Sequence, residues 1–178
     1  MVTFAIACAM VLPALGARPV YEPRLVEPST PGVAAEPLAS SFLQRVVDLT
    51  NVERERVGLR PLRLEQKLCL AADWMAKDMA TFDYFDHLDR AGRRVGDRAY
   101  AFGYRAWKTI GENIAAGIDS PEAVVHEWLS SPTHRANLLK PDYTEIGVGF
   151  AERSESAYGR YWVQTFGTRT NCVSPQWR

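Results

Sequence analysis

The chain contains three histidines, His87, His126 and His134, which are its side chains best suited to acid–base chemistry or metal binding near neutral pH. His126 is followed directly by Glu127, a pair that also opens the zinc-protease motif. That motif needs a second histidine four residues after the first, and this chain has Ser130 there. The pair is therefore not a zinc-protease site, and we interpret His126 as a surface residue of its helix.

Ser131 and His134 are of the right types for a nucleophile and its base, but both fall on one short predicted helix and no third group orients the histidine. The sequence also lacks the GxSxG turn of serine hydrolases, a glycine-rich phosphate loop and a CxxC pair. Short motifs alone therefore identify no complete catalytic site.

The charge balance bears on the kind of partner. There are 21 basic and 21 acidic residues, with no run rich in Lys or Arg. Because nucleic-acid binding needs a basic face for the phosphates, we expect no nucleic-acid partner. Hydrophobic residues make up 47% and charged residues 24% of the 178, a globular composition that allows one domain with tails. We expect that domain to be a monomer.

The first 15 residues are uncharged and mostly apolar, and the small residues Ala14 and Gly16 precede Ala17. This run is too short to cross a bilayer comfortably, but it suits the apolar part of a secretory signal. No Lys or Arg precedes Arg18, so a weak membrane anchor is the alternative interpretation. We expect a protein that is secreted or held in the cell envelope, and that meets a membrane only if this segment is not cleaved.

Composition divides the chain into four parts. Residues 1–17 are the predicted signal peptide or anchor, and residues 18–39 contain five prolines and few large apolar side chains, which predicts an extended linker. A globular domain then covers residues 40–172, and residues 173–178 form a tail.

The number and positions of the cysteines are consistent with a secreted protein. Cys8 lies within the predicted signal, so cleavage would leave Cys69 and Cys172. In an oxidising compartment these two can form a disulfide. It would close a loop of about 100 residues, for which the chain-entropy model gives up to roughly 4–5 kcal/mol. We favour the disulfide; the alternative is that Cys69 is a buried thiol in its helix.

The spacing of apolar residues predicts helices in the first half of the domain. Ser41 with Gln44 resembles a capping box, and Gly58 is a typical residue for the end of that helix. An apolar stripe predicts a second helix over residues 64–80, and a third helix is predicted over residues 93–104.

Two Ser-Pro pairs, at 120–121 and 131–132, predict the starts of two more helices, because serine caps a helix and proline suits its first turn. Beyond them the apolar positions alternate at 146–150 and again at 161–165, which predicts a β-hairpin. Helices early and strands late predict a mixed α+β layered fold.

Four segments, in the order FDHLDRAGRRVGDRAYAFGY, IGENIAAG, HEWLSSPTHRANLL and TEIGVGF, resemble the CAP family (also called SCP or pathogenesis-related) in its bacterial secreted form. The resemblance extends from Leu43 to Gly167, nearly the whole predicted domain. It implies a three-layer α-β-α sandwich with a central antiparallel sheet. It also implies a cleft where two histidines and two glutamates converge in many members.

Carried over residue by residue, the resemblance implies that His87 and His134 are the two histidines of the cleft and that Glu112, in the GEN segment, is its first glutamate. In eukaryotic members the second glutamate follows a tryptophan by three residues, where this chain has Ser131. Glu127 lies one helical turn earlier and could replace it, unless it is simply a solvated helix residue. These five residues make up the predicted binding cleft.

Two imidazoles and one carboxylate are three N/O ligands, the number of an open zinc site with water in its fourth position. The resemblance therefore allows zinc on His87 and His134, with Glu112 as a third ligand, a base, or only an acceptor that holds two segments together. A carboxylate beside an imidazole also raises the pKa of the histidine. Asn113 is expected to brace a turn after Gly111.

The resemblance favours a secreted, non-enzymatic module that binds a lipid or a cell-envelope component, with a divalent metal as an optional part of the cleft. The alternative is a zinc-dependent hydrolase that uses His87, His134 and Glu112. A third interpretation is an adaptor with a vestigial cleft that binds a partner through another surface.

Overall fold

A computed structural model describes residues 36–170, and of residues 36–40 only the course of the backbone. Within this part, the elements are, in order, α1 (Glu36–Arg56), β1 (Arg63–Leu64), α2 (Gln66–Phe82), α3 (Val95–Ala101), β2 (Trp107–Ala116), α4 (Pro121–Ser130), α5 (Pro132–Leu138), β3 (Glu145–Glu152) and β4 (Arg160–Arg169). Helices dominate the first part and a long hairpin ends it. The predicted α+β class is confirmed.

The four strands form one sheet in the order β1-β3-β4-β2. β4 is antiparallel to both of its neighbours, with Thr165 opposite Gly147 on one side and Glu112 on the other. The two-residue β1 pairs in parallel with Glu145 and Ile146 of β3. β2 is consequently the long edge strand of the sheet.

Helices cover both faces of this sheet and give the three-layer sandwich that the resemblance implied. On one face, α1, α4 and α5 bury large side chains, including Trp128, against Trp162 and Phe166 of β4. On the other face, alanines and methionines of α2 pack on Val163 and Ile114. β4 is therefore buried along almost its whole length.

Helix α2 lies so close to β3 that two positions of the strand have no room for a side chain. A Cβ at Gly147 would lie 2.2 Å from the carbonyl carbon of Leu68, and one at Gly149 would lie 2.2 Å from that of Ala72. Because the side chains of a strand alternate between faces, Ile146, Val148 and Phe150, which alternate with these glycines, pack on the opposite layer. This close approach explains the alternation of glycine with apolar residues in TEIGVGF.

Two expectations about the elements are wrong. α1 begins at Glu36, so Ser41 and Gln44 lie inside the helix and not at its start. The expected turn after Gly111 is part of the ten-residue strand β2. Its sequence does not show a clean apolar alternation, because Asn113 on one face belongs to a polar network.

Several predicted features lie outside the described residues: the signal peptide or anchor (1–17), most of the linker (18–39), Cys172 and the tail (173–178). Cys69 on α2 is half-buried and forms no disulfide within the described part of the chain, so its pairing with Cys172 stays a prediction. Burial raises the pKa of its thiol. None of the described helices is long and apolar enough to cross a bilayer.

Candidate functional site

A cleft opens to solvent beside the edge strand β2, between the loop that follows α2 and helix α5. Its volume is about 530 Å³. Mostly polar residues line it: His87, Glu112, Asn113, Thr133, His134, Ala136, Asn137 and Lys140. Three of the five predicted cleft residues, His87, Glu112 and His134, therefore lie around one cavity.

The edge strand joins two segments that pack on opposite faces of the sheet. Successive side chains of a strand point to opposite faces, so Glu112 points towards α3 and Asn113 towards α5. His87, in the loop between α2 and α3, contacts the Glu112 carboxylate. Asn113 binds the carbonyl of His134 on α5. Because no strand continues the sheet beyond β2 within the described residues, the two histidine segments can meet around this edge.

Glu112 is buried, and both of its carboxylate oxygens are occupied. Oε1 accepts a hydrogen bond from Nδ1 of His87 at 2.9 Å, and Oε2 accepts one from Nη2 of Arg98 at 2.6 Å. The side chains of Glu112 and Arg98 are 3% and 1% exposed, so they form a buried ion pair. Arg98 also donates to the carbonyls of His87 and Arg93, which fixes the loop that carries His87.

The imidazole of His87 remains accessible beyond this pair, with 54% of its side chain exposed. Because Nδ1 donates to Glu112, Nε2 is the nitrogen left to meet a ligand. A carboxylate that accepts from one ring nitrogen fixes the tautomer and the orientation of the ring. Glu112 therefore positions His87.

Two asparagines hold α5 against β2. Nδ2 of Asn113 donates to the carbonyl of His134 at 3.1 Å, and Nδ2 of Asn137 donates to the carbonyl of Glu112 at 3.0 Å. Nδ2 of Asn137 also donates to Oδ1 of Asn113, and the hydroxyl of Tyr143 donates to Oδ1 of Asn137. Asn113 thus braces a strand against a helix, and not the turn that was expected.

His134 is partly buried on α5. Its Nδ1 is enclosed and has no hydrogen-bond partner in the described part of the chain. Burial lowers the pKa of His134, the charge of His87 lowers it further, and the Glu127 carboxylate acts in the opposite direction. His134 is therefore mainly neutral at pH 7, since an unperturbed histidine already titrates at about 6.5.

The other two predicted cleft residues, Glu127 and Ser131, are not among those that line the cavity. Glu127 is exposed on α4 and acts on His134 through its charge. Ser131 is half-buried where α4 meets α5, and its hydroxyl lies 3.3 Å from that of Thr133. His126, as interpreted from the sequence, is exposed on α4.

The donor groups do not fit the three-ligand zinc site that the resemblance allowed. If Glu112 turned to a metal, a buried guanidinium would lose its counter-charge, which is costly. The remaining nitrogens, on His87 and His134, are one ligand fewer than an open zinc site uses. Among the described residues, no three His, Cys, Asp or Glu side chains are placed to hold a metal ion together.

Sequence reasoning did not identify Arg98, Thr133 or Lys140 as parts of this site. Arg98 is 1% exposed, and a buried charge needs a partner, but no local pattern in the sequence shows that this arginine is buried. Lys140 follows the end of α5 and carries no such signal, so only the tertiary structure shows that it lines the cleft.

Comparison with known proteins gives a consistent result. The model of the cysteine-rich secretory protein family (CAP) matches residues 47–166. The uncharacterised protein YkwD of Bacillus subtilis is 38% identical over 144 residues, which are 81% of this chain and 54% of that protein. The uncharacterised membrane protein YlbC of the same organism is 32% identical over 150 residues, which are 83% and 40% of the two chains. The chain thus spans about half or less of the length of these relatives.

Among solved structures, the fold is similar to that of an extracellular protein containing an SCP domain from Bacillus anthracis. The TM-score is 0.66 and the sequence identity 30%, over 79% of this chain and 45% of that protein. The family match, from residue 47 to residue 166, includes every residue that lines the cleft.

Proposed function

Since the chain belongs to the cysteine-rich secretory protein (CAP) family, we propose that it is a secreted or cell-surface module that binds a polar cell-envelope component in its cleft without converting it chemically. The observation that carries this proposal is the state of Glu112, the one carboxylate among the described residues that line the cleft. It is bound to the buried Arg98 and to His87. A carboxylate held in this way is a poor general base, because proton uptake would break the ion pair.

Two observations support an extracellular localisation. The similar solved structure from Bacillus anthracis is that of an extracellular protein. The apolar, uncharged start of this chain also resembles a secretory signal. The proposal concerns the CAP domain, since the relatives extend well beyond the region that matches.

The residue types of the lining point to a ligand that polar groups position, although carbon atoms supply most of the surface that the cleft exposes. Ala136 is the only apolar residue among the described residues that line it. Sites for apolar ligands are lined mostly by hydrophobic and aromatic side chains. The aromatic residues of this domain that are fully buried, such as Trp128 and Trp162, lie instead in the core.

A sedimentation experiment tests this function. The full chain is mixed with cell walls isolated from Bacillus subtilis, and separately with lipid vesicles, and the bound fraction is measured after centrifugation. We expect retention on the walls, and binding weaker by about tenfold or more in the double variant His87→Ala/His134→Ala, because two polar contacts are lost.

The matched control is His126→Ala, which removes the exposed histidine of α4 and should bind as the wild type does. Equal wall binding by the double variant, with an unchanged unfolding midpoint, would overturn the proposed site. Retention on vesicles alone would indicate a lipid ligand. Release of soluble wall fragments that stops when a chelator is added would indicate the zinc-dependent hydrolase instead.

A further inference from the structure

The hydrogen-bond acceptors of the cleft are largely used within the protein. Oδ1 of Asn113 accepts from Asn137, and Oδ1 of Asn137 accepts from the hydroxyl of Tyr143. Both carboxylate oxygens of Glu112 are taken, and its carbonyl accepts from Asn137. A ligand group that can only donate hydrogen bonds therefore finds few acceptors here, whereas an anionic oxygen, which only accepts, needs none.

The groups that remain include several donors. The free Nε2 of His87 joins them when that ring is protonated, but it is an acceptor in the neutral ring, whose proton is on Nδ1. Because the enclosed Nδ1 of His134 has no acceptor among the described residues, we infer that the neutral ring carries its proton on Nε2, the nitrogen free to meet a ligand. The hydroxyl of Thr133 can donate as well. The ammonium of Lys140 has no carboxylate partner within the described residues, and its Nζ lies 5.2 Å from the centre of the Tyr143 ring. The backbone of Lys140 is fixed, since its carbonyl accepts from Arg54.

The charges in and directly behind the lining add up to a positive value once the buried Arg98, which does not itself line the cleft, is counted. The carboxylate of Glu112 is cancelled by Arg98, so Lys140 is left unbalanced before either histidine gains a proton. Two other carboxylates act nearby, Glu127 on His134 and Asp142 on Tyr143, but both are exposed and neither lines the cleft. Solvent and salt screen exposed charges of this kind.

We propose that the cleft recognises an anionic group, a phosphate ester or a carboxylate, on its cell-envelope ligand. This inference rests on the proposed function and names the chemical class of the ligand. It follows from two features that act together: the oxygen acceptors of the cleft are mostly satisfied, whereas the ammonium of Lys140 and the Nε2 atoms of the two imidazoles have no partner among the described residues.

Nuclear magnetic resonance of the full chain tests the anion directly. The ring protons of the three histidines are followed while inorganic phosphate, acetate or glucose is added. We expect phosphate, acetate or both to shift the His87 and His134 signals saturably, with a dissociation constant on the order of millimolar, and to leave those of His126 unchanged. Glucose should shift none of them.

The variant Lys140→Gln should weaken anion binding about fivefold, the size expected for one solvent-accessible charge. The matched control is Lys67→Gln, which removes an exposed charge on α2. An unchanged affinity in Lys140→Gln, or shifts with glucose as large as those with phosphate, would overturn the inference.

Treated cell walls then distinguish the two sources of negative charge. Hydrofluoric acid cleaves phosphodiesters and leaves peptide carboxylates, whereas amidation with a carbodiimide neutralises the carboxylates. Loss of binding after either treatment supports the inference and names the source. Binding to walls that have received both treatments contradicts the anionic ligand but leaves the proposed function in place. Absence of binding to untreated walls contradicts the anionic ligand and the proposed function.

Discussion

The sheet buries two glutamates on neighbouring parts of one face, and it neutralises them in two different ways. The side chains of Glu112 on β2 and Glu145 on β3 are 3% and 5% exposed. The partner of Glu112 is Arg98, which is itself buried at 1%. The partners of Glu145 are Arg63 and Arg169, which are 67% and 38% exposed. In the Glu112–Arg98 pair both partners are therefore buried, whereas in the ion pairs of Glu145 only the glutamate is buried.

The two glutamates also differ in their remaining contact. Oε2 of Glu145 accepts from the hydroxyl of Tyr104 at 2.5 Å, and Tyr104 is fully buried, so this cluster ends in the core. Burial, together with this hydrogen bond, raises the pKa of Tyr104. Glu112 instead holds His87, whose ring faces the cleft. Both glutamates thus stabilise the domain through ion pairs with arginines. The cleft differs because Glu112 also binds an accessible imidazole, that of His87.

The largest expected effect comes from breaking the fully buried pair. Arg98→Met should lower the free energy of unfolding by about 3–5 kcal/mol, because it leaves the Glu112 carboxylate buried without a counter-charge. Urea unfolding measures this loss. The control, Arg63→Met, removes a mostly exposed partner of Glu145 and should cost no more than about 1 kcal/mol. Equal losses in the two variants would contradict the comparison.

A smaller effect is expected at the second glutamate. Glu145→Gln keeps an acceptor for Tyr104, and it frees two arginines that already reach water, so the cost should be about 1–2 kcal/mol. Glu112→Gln leaves the Arg98 guanidinium buried and should cost more, about 3 kcal/mol. Both variants replace a carboxylate by an amide of the same shape. The difference between their free energies of unfolding, measured by heat or urea, therefore reports the difference between the two environments. A larger loss in Glu145→Gln would reverse the order proposed here.

Local signals predicted much of the fold. The serine at 120 accepts a hydrogen bond from the amide of Ala123, as its Ser-Pro pair predicted, and α4 and α5 begin where the two pairs place them. The hairpin of β3 and β4 follows the alternation of apolar residues. These features could be predicted because a few neighbouring residues determine them.

Strand β2 and the details of the cleft depend on contacts that are distant in the sequence. β2 is an edge strand whose side chains Glu112 and Asn113 bind polar partners in α3 and α5, so no simple apolar pattern marks it. Its carbonyls at Glu112 and Ile114 are bound by side chains of Asn137 and Trp128. The motif resemblance indicated His87, Glu112 and His134 as neighbours. It did not show that Arg98 occupies the carboxylate, and this tertiary contact is what decides against the three-ligand zinc site.

The smallest effect distinguishes His134 in the cleft from His126 outside it. Burial lowers the pKa of His134 below its value of about 6.5 in the unfolded chain, so between the two values the unfolded state binds more protons. The stability that the neutral ring contributes is fully present above about pH 6.5, and it is lost as the pH falls through the folded pKa. In His134→Gln this part of the acid-induced loss should disappear, whereas His126→Gln, altered at an exposed site, should keep it. Urea unfolding of the three proteins at about pH 7.5 and pH 5 measures the difference. An identical loss in all three would show that the ring of His134 is as well solvated as that of His126.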